Sequence, residues 1–208
     1  RPVHAAVVDD RGGDVVLRLW EWERTRDLIW QVDLRLRGDR LVASTRVTNP
    51  DPDDKPLYWW TNIAVPEDRR TRVLAPATHA WRTSYSGRLD RVAVPYPDDT
   101  EFDISFPRRA DSAGDFFFDL PAARRPFVAS VDPDGAGFVE ASTAGLVGRK
   151  LFLWGDGPGG RRWQRWLDGG DGRYAELQAG RCMTQLEHDR IGGGMSVAWT
   201  ESFGAFAI

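Results

Sequence analysis

Residues 28–50, LIWQVDLRLRGDRLVASTRVTNP, leave the backbone little choice. Leu28, Trp30, Val32, Leu34 and Leu36 alternate with Gln31, Asp33, Arg35 and Arg37. That period of two suits a strand with one apolar and one wet face. Gly38-Asp39 then turns the chain into a second strand that runs to Val47, so the segment predicts a hairpin. Upstream, DVVLRLWEWE puts Trp20 and Trp22 on one face and Leu17 and Leu19 on the other. The proline- and aspartate-rich NPDPDDKP reads as a loop, because Pro50, Pro52 and Pro56 have no ladder donor.

The same signal continues. LYWWTNIAV predicts a strand with Tyr58, Trp60, Asn62 and Ala64 on one face and Leu57, Trp59, Thr61 and Ile63 on the other. Further short strands are expected over 72–82, 100–106, 115–119, 126–131, 137–141, 149–154, 173–178, 182–188 and 196–203. Helical spacing occurs in GRRWQRWL, where Trp163, Trp166 and Leu167 share one side over about two turns. Many short strands with very little helix imply an all-β fold, an antiparallel β-sandwich. At 208 residues the expectation is a single β-sandwich domain, 1–208. The chain lacks an initiator Met and opens on the strand-like VHAAVV, which predicts a fragment of a longer protein.

A formal charge of −3 with Arg and Asp interspersed provides no basic stripe for phosphates, so nucleic acid is not the expected partner. No apolar run approaches the roughly 20 residues that span a bilayer. No membrane association is expected, and a cytoplasmic location is. Cys182 is the single cysteine, which rules out an internal disulfide. His4, His79 and His188 are too scattered to assign as a metal set. DPDGAG (132–137) reads as a β-turn, because the remaining calcium-loop ligands are missing. GDGPGG (155–160) lacks the Lys-Ser/Thr of a phosphate cradle and leads into the short helix. No cofactor is expected.

The most informative stretch is YAELQAGRCMTQLEH, residues 174–188. Tyr174, Glu176 and Gln178 share one strand face, and Ala175, Leu177 and Ala179 the other. After a turn at Gly180, Gln185 and Glu187 share a face, with Leu186 and His188 opposite. Amides and carboxylates at this density bind hydroxyls as donors and acceptors, and a Glu beside a His supplies a general acid/base pair. The competing explanation is an exposed sheet face whose polar groups satisfy one another across strands. Ten tryptophans in this length suggest an aromatic platform drawn from Trp59 or Trp60, Trp81, Trp154, Trp163 and Trp166, although most must fill the core. Trp60 and Asn62 are the preferred exposed pair.

RLWEWER, YWWTNIAVPE, RVLAPATHAW, GRKLFLWG, GRRWQRWL, YAELQAGRCMTQLEH and WTESFG together resemble successive blocks of the bacterial domain of unknown function 5107 family. The likeness covers essentially the whole chain. It implies a galactose-mutarotase-like β-supersandwich, a carbohydrate-related role and, in a longer protein, tetratricopeptide repeats as a partner. A Gly-Gly-x-Glu-Trp-Asn-like block of the family's N-terminal part is absent here. In mutarotase-like enzymes a His and a Glu act as acid and base, which makes His79 and Glu176 the catalytic candidates by type. Trp60, Asn62, Tyr174, Gln178, Gln185 and Glu187 are then the substrate-binding candidates. The expected function is carbohydrate-active or carbohydrate-recognising, as part of a glycoside-processing or sugar-epimerising enzyme. The alternatives are a non-catalytic glycan- or protein-binding scaffold, or a structural half-sandwich whose open edges other strands would cover.

Overall fold

A computed structural model describes every residue except 1, 2, 10, 11, 14, 84–86, 98–100, 123, 124 and 171. The alternating segments form two large antiparallel sheets. The eight-stranded sheet contains β1 (His4–Asp9), β2 (Val15–Glu23), β3 (Leu28–Arg37), β4 (Arg40–Thr48), β16 (Ser196–Ala207), β12 (Ala136–Ser142), β11 (Phe127–Val131) and β7 (Arg72–Leu74), in that spatial order. The six-stranded sheet runs β6 (Trp60–Pro66), β14 (Tyr174–Gly180), β13 (Gly148–Leu153), β10 (Gly114–Phe118), β8 (His79–Thr83) and β9 (Leu89–Ala93). A ribbon of β5 (Lys55–Leu57) and β15 (Asp189–Ile191) closes one end, and α1 (Pro158–Asp168) joins β13 to β14.

The predicted hairpin forms with Arg37 opposite Arg40 around Gly38-Asp39, and Gly38 takes the positive φ of 61° that the turn requires. Other expectations are corrected. Segment 72–82 divides into β7 and β8, which lie in different sheets. Pro76 falls between them, so the chain cannot pair continuously there. LYWWTNIAV likewise divides into β5 and β6, with Tyr58 and Trp59 outside both. The expected NPDPDDKP loop gives its last residues to β5, and Pro56 is tolerated because each strand of a two-stranded ribbon has an unpaired edge. The described part of 100–106 forms turns leading into a 3-10 turn at Pro107–Arg109.

Segment 182–188 is a loop. β14 is already paired along both edges, by β13 and β6, so no edge remains for a returning strand. The shared faces expected for Gln185 with Glu187, and for Leu186 with His188, therefore do not exist.

Between the sheets, Leu151, Leu153, Ala175, Leu177, Phe116 and Phe118 pack with Val73 and Val128 from the opposite sheet. A second cluster of Leu28, Val47, Leu57, Ile191 and Trp199 closes the ribbon end. Three ionisable groups also lie inside. Arg149 and Glu140 are both fully buried, with Nε and Oε2 2.8 Å apart, and Glu201 is 2% exposed. Arg149 also donates to Ser142 Oγ at 2.6 Å and to the Gly148 carbonyl at 2.8 Å. Arg149 is thus paired with Glu140, while Glu201 accepts from Thr61 Oγ1 at 3.0 Å. Burial, and then repulsion from Glu201, push the Glu140 carboxyl up to about 7 against the pull of Arg149.

A carboxyl whose folded pKa is raised stabilises the fold fully below its ordinary value of 4.5, and that contribution is lost as pH rises through about 7. Glu140→Gln is therefore expected to flatten the decline in Tm between those pH values. The flattening will be partial, because Glu67 is also pushed up to about 7 by burial. Thermal denaturation across this pH range checks the prediction, and an unchanged slope would contradict it.

Candidate functional site

In the six-stranded sheet one face of each strand is committed to the core, and the alternate residues are left for the other face. On β14 the core takes Ala175, Leu177 and Ala179, so Tyr174, Glu176, Gln178 and Gly180 point outward. The register aligns Gln178 with Asn62 on β6 and Lys150 on β13, and Lys150 with Phe117 on β10. Glu176 is in line with Ala64, Phe152, Asp115 and Thr83.

Two glycines shape one end of this outward face. Gly180 and Gly148 are direct partners, and a Cβ at either would overlap the Trp60 indole. With no side chains there, the ring lies across two strands and meets Phe117 edge-on at a centroid distance of 5.8 Å. Phe117 is 1% exposed even though it faces away from the core. Trp60 thus covers the Gly180 end of β14, four residues along from Glu176.

The polar groups form a continuous row. Asn62 Nδ2 donates to Glu176 Oε2 at 2.8 Å, and Gln178 Nε2 donates to the same oxygen at 3.0 Å. Gln185 Nε2 reaches from the 182–188 loop to Gln178 Oε1 at 2.6 Å, and Lys150 Nζ donates to Gln185 Oε1 at 2.7 Å. Lys150 is ion-paired with Asp115, which also accepts from Thr83 Oγ1 at 3.0 Å. Every amide in the row has its orientation fixed by its neighbours. Glu176 Oε1 is left without a donor among the described residues, so the carboxylate is held by one oxygen and presents the other.

Glu176 lines an open cleft of about 700 Å³ together with Asn62, Tyr174, Leu167, Asp168 and Arg173, among others. Tyr174 stands edge-on to Trp154 at 5.9 Å, and Trp154 to Phe152 at 4.6 Å. Burial and the nearby carboxylates of Glu176 and Asp168 push the Tyr174 phenol up. It remains a proton donor beside a carboxylate acceptor. Oriented donors and acceptors beside the Tyr174 ring suit a ligand rich in hydroxyls and C–H surface.

The structure joins Asn62, Tyr174, Glu176, Gln178 and Gln185 into this arrangement. It separates three other candidates from it, among them Trp60, which sits opposite Gly180 and does not line the cleft. His79 lies on β8 with two strands between it and β14, and four residues along from Thr83, which is in line with Glu176. Strand spacing and rise put the two side chains on the order of 20 Å apart. His79 Nδ1 is 3.1 Å from Thr78 Oγ1, and the histidine cannot serve as the acid/base partner of Glu176. Glu187 is an exposed loop residue whose carboxylate accepts from the Thr184 amide at 3.3 Å, which ties the loop together. Trp59 packs in the ribbon-end core edge-on to Trp199 at 5.2 Å.

Lys150, Asp115, Asp168 and Arg173 escaped the sequence reading. Lys150 did carry a signal, as one of two adjacent cations, Arg149 and Lys150, at the head of the apolar run LFLW. Among the described residues no group of acidic, histidine or cysteine side chains is arranged to hold a metal ion. No helix there is long and apolar enough to cross a membrane.

A family model described as a domain of unknown function, DUF5107, matches residues 1–195. The chain belongs to this family. No curated protein matches the DUF5107 chain, but solved structures do. A TPR-domain containing protein from Parabacteroides distasonis superposes with a TM-score of 0.82 at 20% identity, over 99% of this chain and 34% of that one. A putative aldose 1-epimerase from Escherichia coli K12 gives 0.73 at 15% identity, over 100% and 69%. A galactose mutarotase-like protein from Clostridium acetobutylicum gives 0.67 at 13% identity, over 99% and 66%. The DUF5107 chain therefore has the galactose-mutarotase-like sandwich fold. It spans about a third of the Parabacteroides protein and about two thirds of the other two.

Gly180→Ala is expected to push the Trp60 ring off the sheet. Overpacking of this kind costs roughly 1–3 kcal/mol. Urea denaturation should show that loss together with a shifted tryptophan emission, and an unchanged spectrum and stability would contradict the packing of Trp60 over Gly180.

Proposed function

We propose that this DUF5107 chain binds a carbohydrate on the outward face of the six-stranded sheet, and that Glu176 exchanges a proton with the bound sugar. The observation that carries the proposal is the half-satisfied carboxylate. Asn62 and Gln178 fix Glu176 Oε2, which leaves Oε1 for a ligand in the cleft that Glu176 and Tyr174 line. A carboxylate placed this way accepts a proton from a sugar hydroxyl while the phenol donates to another oxygen. Gln178, Gln185 and Lys150 lock the row, and Tyr174 and Leu167 supply apolar surface. Proton exchange of this kind serves sugar epimerisation or glycoside processing, and the fold shared with a putative aldose 1-epimerase supports that class.

A second proposal is a non-catalytic glycan-binding module serving a longer protein, with tetratricopeptide repeats as its partner. One observation favours it: none of the three histidines lines the cleft, so Glu176 lacks the histidine partner expected from the sequence. The likeness to a TPR-domain containing protein supports the partner.

Isothermal titration with galactose and glucose, paired with polarimetry of freshly dissolved sugar, separates the two. Proton exchange predicts that Glu176→Gln keeps binding within about threefold, since the amide still accepts a hydroxyl, and loses at least about 100-fold in rate. A binding-only module predicts no catalysed change in optical rotation for either protein. Absence of sugar binding in the unsubstituted chain would sink both.

A further inference from the structure

Helix α1 is inverted. Its apolar side chains Trp163, Trp166 and Leu167 are 54%, 71% and 52% exposed, while Gln164 is fully buried. An isolated amphipathic helix docked by the hydrophobic effect would do the reverse. Specific contacts hold it this way round. Gln164 Nε2 donates to the Tyr174 carbonyl at 2.8 Å, Arg173 donates to Gln164 Oε1 at 2.6 Å, and Gly160 sits against the Trp154 carbonyl so closely that a Cβ would overlap it. The polar side anchors the helix to β14, the strand that carries Glu176.

The exposed side is continuous with the cleft. Leu167 lines the cleft that contains Glu176, and Trp163 is one turn back on the same side. Trp163 and Trp166 stand edge-on at 5.4 Å and, with Arg162, line a second open cavity of about 750 Å³. We propose that these two rings form an outer carbohydrate subsite, so that the ligand is an oligosaccharide whose end enters the Glu176 cleft while its next units cross α1. The proposal rests on the carbohydrate reading of the cleft. Stacked pyranose units match the surface, because the C–H face of a sugar covers an exposed indole while guanidinium donors such as that of Arg162 meet its hydroxyls.

The test is a calorimetric titration of the chain with glucose and galactose and with β-1,4-linked glucose, α-1,4-linked glucose and β-1,4-linked galactose hexasaccharides. It is run on the unsubstituted protein, Trp163→Ala/Trp166→Ala, Trp163→Phe/Trp166→Phe and Glu176→Gln. One hexasaccharide should bind about tenfold or more tighter than its monosaccharide, the scale of two aromatic contacts. The double alanine variant should lose that gain with monosaccharide affinity unchanged, and the double phenylalanine variant should keep much of it. Glu176→Gln should not remove the length dependence.

Equal affinity for monosaccharide and hexasaccharide, or a gain that survives the double alanine variant, would overturn the subsite and leave the cleft reading standing. No binding of any sugar would overturn both. Sedimentation showing self-association that the double alanine variant abolishes, with sugar binding intact, would assign the surface to protein contact and also overturn the proposal.

Discussion

Strand β14 is the element on which both the core and the site depend. It is paired along both edges, which removes any freedom to slip, since a one-residue shift would exchange its two faces. With the register fixed, Ala175, Leu177 and Ala179 close the interior while Tyr174, Glu176 and Gln178 are presented as a set. The same double pairing forces 182–188 out of the sheet as a loop, and that loop delivers Gln185 onto the row it would otherwise have flanked as a strand. A site built on a sandwiched strand is rigid because the core is rigid.

Around this strand, small and large residues complement each other. Gly148 and Gly180 remove side chains where the Trp60 ring must lie, and Phe117 meets its edge. Buried charge is used in two ways. In the core, Arg149 divides its donors among Glu140, Ser142 and backbone carbonyls, at a desolvation cost that holds Glu140 near neutrality. On the outward face, Lys150 stays paired to Asp115 and feeds a chain of oriented amides that ends at Glu176. The second arrangement points a carboxylate at solvent, and the first points nothing outward.

Much of this was legible in the sequence, for physical reasons. Period-two alternation marks strands whichever sheet they join, so β3, β4, β6, β14 and β16 were all anticipated, as was the shared face of Tyr174, Glu176 and Gln178. Sheet order was not legible, because it depends on which edges remain free. That is why 182–188 was expected to be a strand. His79 was a candidate by residue type alone, and type carries no position in a sheet. The helix in GRRWQRWL was legible from its spacing, but its inversion was not: the buried contact is a glutamine bonded to a backbone carbonyl, which leaves no periodic trace.

The galactose-mutarotase-like fold accommodates the row and the cleft on one face of one sheet, and the central claim is that this face receives a sugar. A crystal structure of the chain soaked with galactose or a hexasaccharide tests it most directly. The account predicts a sugar ring in the cleft between Tyr174 and Leu167 with a hydroxyl within hydrogen-bond distance of Glu176 Oε1. A sugar bound on the outward face of the eight-stranded sheet, or a cleft left empty at saturating ligand, would contradict it.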